Sequence, residues 1–176
     1  ADIAACLESI TAARDECKGG LETIVVDNGS RDGTREFIAE RFADVELIPT
    51  HRNLGYGAAA NIGMSQARGE VLLVINPDAA LEPGALRALT QRLDLDPSAG
   101  CVAPSAFNGN AESTSPARSF PTIGVAIADG TMLERWLRRS RVLRHYYRDD
   151  ALWPARPDWV DGACLCLRRA AIEAVG

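Results

Sequence analysis

Hydrophobic positions along the chain follow two spacings, and the changes between them predict alternating helices and strands. Apolar residues from Ile3 to Ile10 recur at the helical interval, so the chain opens on an amphipathic helix. Short apolar runs then predict strands: "ETIVV" before Asp27, "VELIP" up to Pro49, "EVLLVI" and, near the end, "GACLCL". Because "EVLLVI" is continuously apolar, we expect that strand to be buried on both faces.

Helical spacing returns between these runs. The predicted helices cover about 34–42, about 58–67, a segment from Pro83 to near Pro97, and the closing segment "RRAAIEAVG". Strands that alternate with helices predict an α/β fold with a three-layer, Rossmann-like, mostly parallel sheet. The length of 176 residues suits a single domain, 1–176.

A segment of different composition, 105–150, is predicted to be an insertion within this domain. Its first part, 105–121, is rich in Ser, Asn, Gly and Pro and is predicted to be a surface loop. A later part, 132–148, mixes arginines with Trp136 and Tyr146, which is typical of an element that contacts lipid headgroups or a lipid diphosphate. A solvated basic helix packed on the domain is the other interpretation.

Charge and cysteine content narrow the function class. The net charge of -5 argues against a nucleic-acid-binding protein. The five scattered cysteines fit a reducing cytoplasm, and no apolar run approaches the ~20 residues that cross a bilayer. Cys164 and Cys166 alternate on a predicted strand, so we expect core residues and not a shared metal site.

The stretch "VVDNGSRDGT", 25–34, is the first candidate site. Asp27 ends a strand, and ligands of open parallel sheets bind outside the carboxyl ends of the strands. Asn28, Gly29 and Ser30 then allow a tight turn and supply polar groups. Asp27 has acceptors only, which suits the imide N–H of uracil or thymine. The alternative is an Asx-turn that only caps the next helix.

A second candidate, "NPDA", follows the strand "EVLLVI". Pro77 fixes the backbone between Asn76 and Asp78, so both side chains can face one ligand. A hard divalent cation that bridges two phosphates takes only one or two protein carboxylates, which makes Asp78 the predicted metal ligand. The alternative is a helix N-cap, a position where Asp is common.

The stretch "RNLGYGAAANIG", 52–63, lies between these two in sequence. Arg52, Asn53 and Asn61 flank Gly57 and a run of alanines. The lack of bulk predicts a helix start whose free N–H groups can face a phosphate. Tight packing of two helices is the alternative.

Together with "WVDGACLCLRRAAIEAVG", these segments resemble the family 2 glycosyltransferases of the GT-A fold, and within them the rhamnosyltransferase-like branch. The resemblance implies that Asp27 contacts the nucleotide base, that Asp78 binds Mg²⁺ or Mn²⁺ on the donor diphosphate, and that Asn76 lies near the ribose or sugar. Many relatives have aspartate at the position of Asn76, which leaves Asp78 as the essential metal contact.

The reaction implied by this resemblance is inverting transfer of a sugar, rhamnose in this branch, from a dTDP- or UDP-sugar to a glycan or lipid-linked acceptor. We expect it in the cytoplasm, with the inner face of the membrane as a candidate position, and peripheral membrane contact and a homo-oligomer are candidates as well. The acceptor side of the cleft is implied to contain Trp159, Asp161, Gly162 and Ala163.

The resemblance also implies a domain trimmed at both ends. In the family, the general base follows the closing helix, here beyond Gly176, and a first strand precedes the opening helix. That strand lies between those that end near Asp27 and Asp78. We therefore expect these two strands not to pair directly, and another part of the protein or a neighbouring chain to fill the gap, because unpaired backbone edges are costly.

Two other functions remain open at this point. A non-catalytic module could keep the nucleotide-sugar pocket and regulate a partner. A nucleotidyltransferase is the other, although the glycine-rich, lysine-bearing loop that it would need near the N-terminus is not seen in the sequence.

Overall fold

The computed structural model describes residues 3–17, 19–107, 113–114, 116–123, 125, 146 and 156–175. Within these ranges the predicted order of helices and strands is confirmed. The described helices are α1 (Ile3–Ala12), α2 (Thr34–Arg41), α3 (Tyr56–Gln66), α4 (Ala85–Leu95) and α5 (Arg169–Val175). The described strands are β1 (Thr23–Asp27), β2 (Val45–Pro49), β3 (Val71–Ile75), β4 (Cys101–Val102), β5 (Ala106–Phe107), β6 (Ser113–Thr114), β7 (Ala117–Arg118), β8 (Trp159–Val160) and β9 (Cys164–Arg168).

Parallel and antiparallel pairing both occur. β1 pairs with β2 in parallel, with Asp27 opposite Pro49 at the carboxyl ends. β9 lies between β3 and β4 and is antiparallel to both. Ile75, the last residue of β3, lies opposite Cys164, the first of β9, so the chain enters this strand at the carboxyl end of β3 and runs back along it. The expected parallel sheet therefore has an antiparallel member, which the helix–strand alternation did not predict.

The chain forms two compact units, one of residues 1–102 with 163–176 and one of residues 103–162. The first contains β1–β4, β9 and the described helices. The second contains the antiparallel pairs β5–β6 and β7–β8. The segment 105–121 is thus not only a loop, because three short strands lie in it. They are two residues each, too short for periodicity to reveal them.

The basic, aromatic segment 132–148 lies outside the described residues apart from Tyr146. Both interpretations of it, and the single domain, stay predictions. In the part of the chain that the structure describes, none of the helices combines the length and the apolar character needed to cross a membrane.

The core of the first unit forms where α4 packs against β9. Leu89 and Leu93 lie on the buried stripe of α4 that the sequence predicted, and they cluster with Cys166. Burial raises the pKa of the Cys166 thiol to about 12 and that of Cys164 to about 11, so both are protonated at neutral pH. Cys166 is a core residue, as expected.

A wide gap separates β1 from β3. The two strands belong to different sheets and share no ladder, which agrees with the expectation that they do not pair directly. Their amino ends are tied by Glu22, whose carboxylate accepts hydrogen bonds from the backbone N–H groups of Arg68 and Gly69. Beyond this tie, a cavity of about 1840 Å³ is lined by both strands and by residues of α1, α3 and α4. What fills it stays a prediction.

This gap explains why β3 is less buried than expected. Leu72 is buried, but the other four residues of the strand are only half-buried. Its neighbour β9 covers one edge, and the cavity lies along the other side. The expectation of burial on both faces is therefore wrong for the described chain.

Two leucines of α4 test the assignment of the core. Leu93 is 0 % exposed, whereas Leu95 is 79 % exposed. We expect Leu93→Ala to lower the free energy of unfolding by about 2–5 kcal/mol, because it leaves a cavity between α4 and β9. Leu95→Ala should change it by no more than about 0.5 kcal/mol. Urea unfolding followed by circular dichroism measures both, and equal losses would contradict the assignment.

Candidate functional site

Asp27 lies at the carboxyl end of β1 and is only 4 % exposed. Its Oδ1 accepts a hydrogen bond from the Ser30 N–H at 3.1 Å, which closes the turn. Its Oδ2 is buried and has no hydrogen-bond partner among the described residues, and Arg35 Nε lies 3.5 Å away as an ion-pair partner. One carboxylate oxygen therefore shapes the turn, and the other retains acceptor capacity.

Helix capping after this turn is the task of Asp32. Its Oδ1 accepts from the Thr34 hydroxyl at 2.6 Å and from the Thr34 N–H at 3.3 Å, at the start of α2. The Thr34 hydroxyl, followed by the Thr34 N–H, lowers the pKa of Asp32. The capping interpretation thus holds for Asp32, while Asp27 only closes the turn.

The loop 50–55, which leads from β2 to α3, is fastened to this turn through Asn28. The Asn28 Nδ2 group donates to Asn53 Oδ1 at 3.1 Å and to the Gly55 carbonyl at 3.2 Å. Its Oδ1 accepts from the Leu54 N–H at 2.8 Å. The Thr50 hydroxyl lies 3.3 Å from the same oxygen, but its nearest acceptor is the Arg52 carbonyl at 2.7 Å. Both N–H groups of the Asn28 amide are therefore used by the loop.

The same loop crosses the turn at Gly29. A Cβ atom on Gly29 would lie 2.9 Å from both the Arg52 carbonyl carbon and the Asn53 nitrogen, closer than real Cβ contacts. Its φ of +90° is also a left-handed conformation that favours glycine. Glycine at 29 is required by this crossing, and backbone approach to a ligand is not needed to explain it.

α3 begins immediately after this crossing. Its N-cap, Gly55, has φ 86° and ψ 159°, a region almost restricted to glycine, and no side chain caps the helix there. Open space surrounds a Cβ built on Gly57. Arg52 and Asn61 are exposed. These residues are on the surface as a phosphate contact would require, and their roles stay predictions.

The "NPDA" segment forms a turn at the carboxyl end of β3. The Asn76 N–H donates to the Ala163 carbonyl at 2.9 Å, and the Ala79 N–H donates to the Asn76 carbonyl at 3.1 Å. Asn76 Oδ1 is buried without a hydrogen-bond partner. Asp78 is exposed.

Asp78 does not cap a helix. The next helix, α4, begins seven residues later at Ala85, with Gly84 as its N-cap. Its first N–H groups are instead bound by Glu16, whose carboxylate accepts from Gly84 at 2.7 Å and from Arg87 at 3.1 Å. These backbone hydrogen bonds, Gly84 first, lower the pKa of Glu16. The N-cap alternative for Asp78 is wrong.

The two strand ends border one cavity, the gap between β1 and β3. Asp27 and Asn76 both line it. Cys6 lines it too, and its thiol donates to the Asn76 carbonyl at 3.6 Å. Burial raises the pKa of the Cys6 thiol, and the negative charge of Asp78 raises it further.

A metal site made by the protein alone is not found among the described residues, where no group of three or more His, Cys, Asp or Glu side chains could hold an ion. A single carboxylate fits the chemistry of a dication that takes its other ligands from phosphate and water. Asp78 fits this arrangement because it is exposed and makes no capping contact.

The residues predicted for the acceptor side divide between the two units. Ala163 is in the first and contacts Asn76, as described above. Trp159 Nε1 donates to the Ser119 carbonyl at 3.1 Å within the second unit. Asp161 forms an ion pair with Arg118 Nη2 at 3.0 Å, so its carboxylate already has a cationic partner. Gly162, also in the second unit, lies in the turn before β9.

Thr50 is a residue that sequence reasoning missed. Its N–H donates to the Asp27 carbonyl at 3.0 Å, and its hydroxyl contacts both the Arg52 carbonyl and Asn28 Oδ1. A signal was present, because Thr50 follows Pro49 at the carboxyl end of β2, the strand beside β1. The strand-end rule that identified Asp27 applies equally to it.

Comparisons with known proteins identify the family of this chain. The family model described as glycosyl transferase family 2 matches residues 1–175. The chain is 32% identical over 170 residues to an N-acetylglucosaminyl-diphospho-decaprenol L-rhamnosyltransferase of Mycobacterium tuberculosis, a match that covers 89% of this chain and 54% of the relative. It is 38% identical over 76 residues to the succinoglycan biosynthesis protein ExoO of Rhizobium meliloti, covering 42% of this chain and 22% of that protein.

Solved structures of glycosyltransferases have the same fold. The mannosyltransferase PcManGT of Pyrobaculum calidifontis, in complex with GDP-Man and Mn2+, has a TM-score of 0.63 at 21% identity and matches 99% of this chain and 43% of its own. S. aureus TarS 1-349 has a TM-score of 0.57 at 18% identity, with 98% and 44% covered. The chain spans about half the length of the rhamnosyltransferase relative and less than half of these two structures.

The crossing at Gly29 can be tested against a matched glycine. Gly33 also has positive φ, but nothing lies within 4 Å of a Cβ built on it. Alanine at either position has to adopt the left-handed conformation, which costs about 1–2 kcal/mol. Only alanine at 29 also collides with the loop 50–55, so we expect Gly29→Ala to be less stable than Gly33→Ala by a further ~1–3 kcal/mol. Equal values in urea unfolding would contradict the close crossing.

Proposed function

We propose that this chain, which belongs to glycosyl transferase family 2, binds the nucleotide-sugar donor of an inverting glycosyltransferase. The observation that carries the proposal is a pair of buried oxygens, Asp27 Oδ2 and Asn76 Oδ1, which have no hydrogen-bond partner in the described chain and belong to residues that line one cavity. A buried acceptor without a donor costs about 1–3 kcal/mol. A ligand that brings N–H and O–H groups into the cavity would remove this cost.

A nucleoside diphosphate sugar has the donors that these oxygens lack. The imide N–H of uracil or thymine suits the anionic Asp27, and a ribose or sugar hydroxyl suits Asn76. Asp27 then orients the base, while Arg52, Asn61 and the open start of α3 at Gly57 face the phosphates. The turn and the loop 50–55 are already hydrogen-bonded to each other, so binding the nucleotide orders little additional backbone.

Asp78 would hold Mg²⁺ or Mn²⁺ on the diphosphate. The bound cation supplies positive charge where negative charge develops on the leaving phosphate. Asn76, two residues before Asp78, is kept in place by its N–H contact with Ala163, which fixes the turn that presents the carboxylate. Asp161 is a poor candidate for the general base because of its ion pair with Arg118. A base beyond residue 176 is our prediction.

The donor and acceptor are proposed by similarity. The M. tuberculosis relative is named as an L-rhamnosyltransferase acting on a diphospho-decaprenol-linked sugar. We propose a dTDP- or UDP-sugar, with rhamnose as the favoured sugar, and a glycan or lipid-linked acceptor at the inner face of the membrane. Trp159, Asp161, Gly162 and Ala163 are proposed to border the acceptor.

Calorimetry of the full-length protein with UDP, dTDP and ADP, with and without Mn²⁺, tests the proposal. We expect the pyrimidine nucleotides to bind more tightly than ADP, and Mn²⁺ to strengthen their binding at least about tenfold, a difference of about 1.4 kcal/mol. Asp78→Asn should abolish the effect of Mn²⁺ and leave metal-free binding unchanged. Asp27→Asn should weaken pyrimidine binding in both conditions.

Glu40→Gln serves as the control for these charge changes, because Glu40 is exposed on α2. It should behave as the unmodified protein. Absence of pyrimidine binding would contradict the proposed function. Binding that Mn²⁺ strengthens equally in Asp78→Asn would instead contradict the role of Asp78. Pyrimidine binding without sugar transfer to any acceptor would favour the non-catalytic module.

A further inference from the structure

We infer that Asn28 is a positioning residue for the base: it fixes the side-chain amide of Asn53 with its NH₂ group outward and so makes the site select uracil or thymine over cytosine. This inference rests on the proposed nucleotide site and deepens it.

The first step is that the Asn28 side chain has no N–H group left for a ligand. A carboxamide has two N–H donors and two acceptor lone pairs. Asn53 Oδ1 and the Gly55 carbonyl take both donors, and the Leu54 N–H donates to the oxygen. As a hydrogen-bond donor, Asn28 therefore acts on a ligand through the loop.

The second step is that Asn53 is held in one of its two amide orientations. Its Oδ1 accepts from Asn28 Nδ2 at 3.1 Å and from the Gly55 N–H at 2.8 Å. A half-turn of the amide would place its NH₂ group against these two donors and lose both hydrogen bonds. The oxygen thus faces the protein. Asn53 is exposed, and its Nδ2 group has no hydrogen-bond partner within the described ranges.

The third step is that Asn53 and Asp27 lie at one strand end. The loop carrying Asn53 crosses the turn after Asp27, where a Cβ on Gly29 would be 2.9 Å from the Asn53 nitrogen. Asp27 contributes an acceptor, Oδ2, which has no hydrogen bond from a described residue and has Arg35 as its ion-pair partner, and Asn53 contributes a donor, Nδ2. An acceptor and a donor at the same rim match a base edge that carries N–H beside C=O.

Uracil and thymine have such an edge, with an imide N–H between two carbonyl groups. Cytosine presents the reverse pattern, with a ring nitrogen acceptor beside an amino donor, so both contacts would become repulsive. Discrimination by a matched pair of hydrogen bonds is about 1–3 kcal/mol for base recognition, or roughly 5- to 150-fold in affinity. The fixed orientation of the Asn53 amide, with its NH₂ group outward, supplies part of this selectivity.

The test is the ratio of the CDP and UDP dissociation constants, measured by calorimetry with the full-length protein in Mn²⁺. We expect the unmodified protein to prefer UDP by roughly 10- to 100-fold. Asn28→Asp has nearly the same shape but offers an oxygen where Nδ2 donated, so Asn53 loses its fixed orientation. The preference for UDP should then fall about five- to tenfold.

Two further variants make the result decisive. Asn53→Asp replaces the outward donor directly and should lower the preference by a similar factor even if Asn28→Asp fails to fold. Gln66→Glu is the matched control, an amide-to-acid change at an exposed residue of the same loop–helix segment, and it should leave the ratio unchanged. If the role of Asn28 were purely structural, Asn28→Asp would weaken the binding of UDP and of CDP by the same factor.

The outcomes separate the two levels of the proposal. If the unmodified protein binds no pyrimidine nucleotide, the proposed function fails, and this inference fails with it. A second outcome is that the unmodified protein prefers UDP, while Asn28→Asp or Asn53→Asp weakens the binding of both nucleotides without changing the ratio of their dissociation constants. The nucleotide site then stands, and the role of Asn28 is overturned.

Discussion

The close crossing of the turn 27–30 by the loop 50–55 is the constraint on which the candidate site depends. Gly29 removes the side chain that would hold the two segments apart, and Asn28 fastens them with hydrogen bonds to Asn53, Leu54 and Gly55 of the loop. The contact joins the ends of β1 and β2, which are already adjacent in the parallel ladder. It therefore fixes where α3 begins relative to the buried carboxylate of Asp27.

The other half of the site is held differently. β3 has no ladder with β1, so side chains and single backbone contacts determine where the "NPDA" turn lies relative to Asp27. Glu22 ties the amino ends of the two strands, and backbone hydrogen bonds, that of Arg68 first, lower its pKa. At the carboxyl end, Cys6 of α1 contacts the Asn76 carbonyl. A strand placed in the gap would add main-chain hydrogen bonds on both sides, about 4.8 Å from each neighbour.

Periodicity predicted the described helices of the first unit and its four five-residue strands, but not the two-residue strand β4. Burial produces the spacing that the sequence reveals, as on α4, where Leu86, Leu89 and Leu93 are buried. The positions of strand ends could also be used to predict candidate site residues, since Asp27 and Asn76, which follow or end strands, line one cavity. The direction of β9 could not be predicted, because an alternating strand reads the same in both directions. The role of Asn28 was also beyond sequence reasoning. It depends on Asn53, which is 25 residues away, and on which end of that amide meets the Gly55 N–H.

The described carboxylates around this site differ in what they already bind, and this difference distinguishes ligand contacts from structural ones. Glu16, Glu22 and Asp32 each accept backbone N–H groups, and these bonds lower their pKa values. Such acids are committed to holding helix starts and strand ends in place. Asp27 accepts a backbone N–H through Oδ1 only, while its Oδ2 has an ion-pair partner, Arg35, and no hydrogen bond from a described residue. Asp78 makes no capping contact at the neighbouring helix. Sequence alone presents all five as acids near turns, so the hydrogen bonds of the fold are what single out the two that we propose for a nucleotide and its cation.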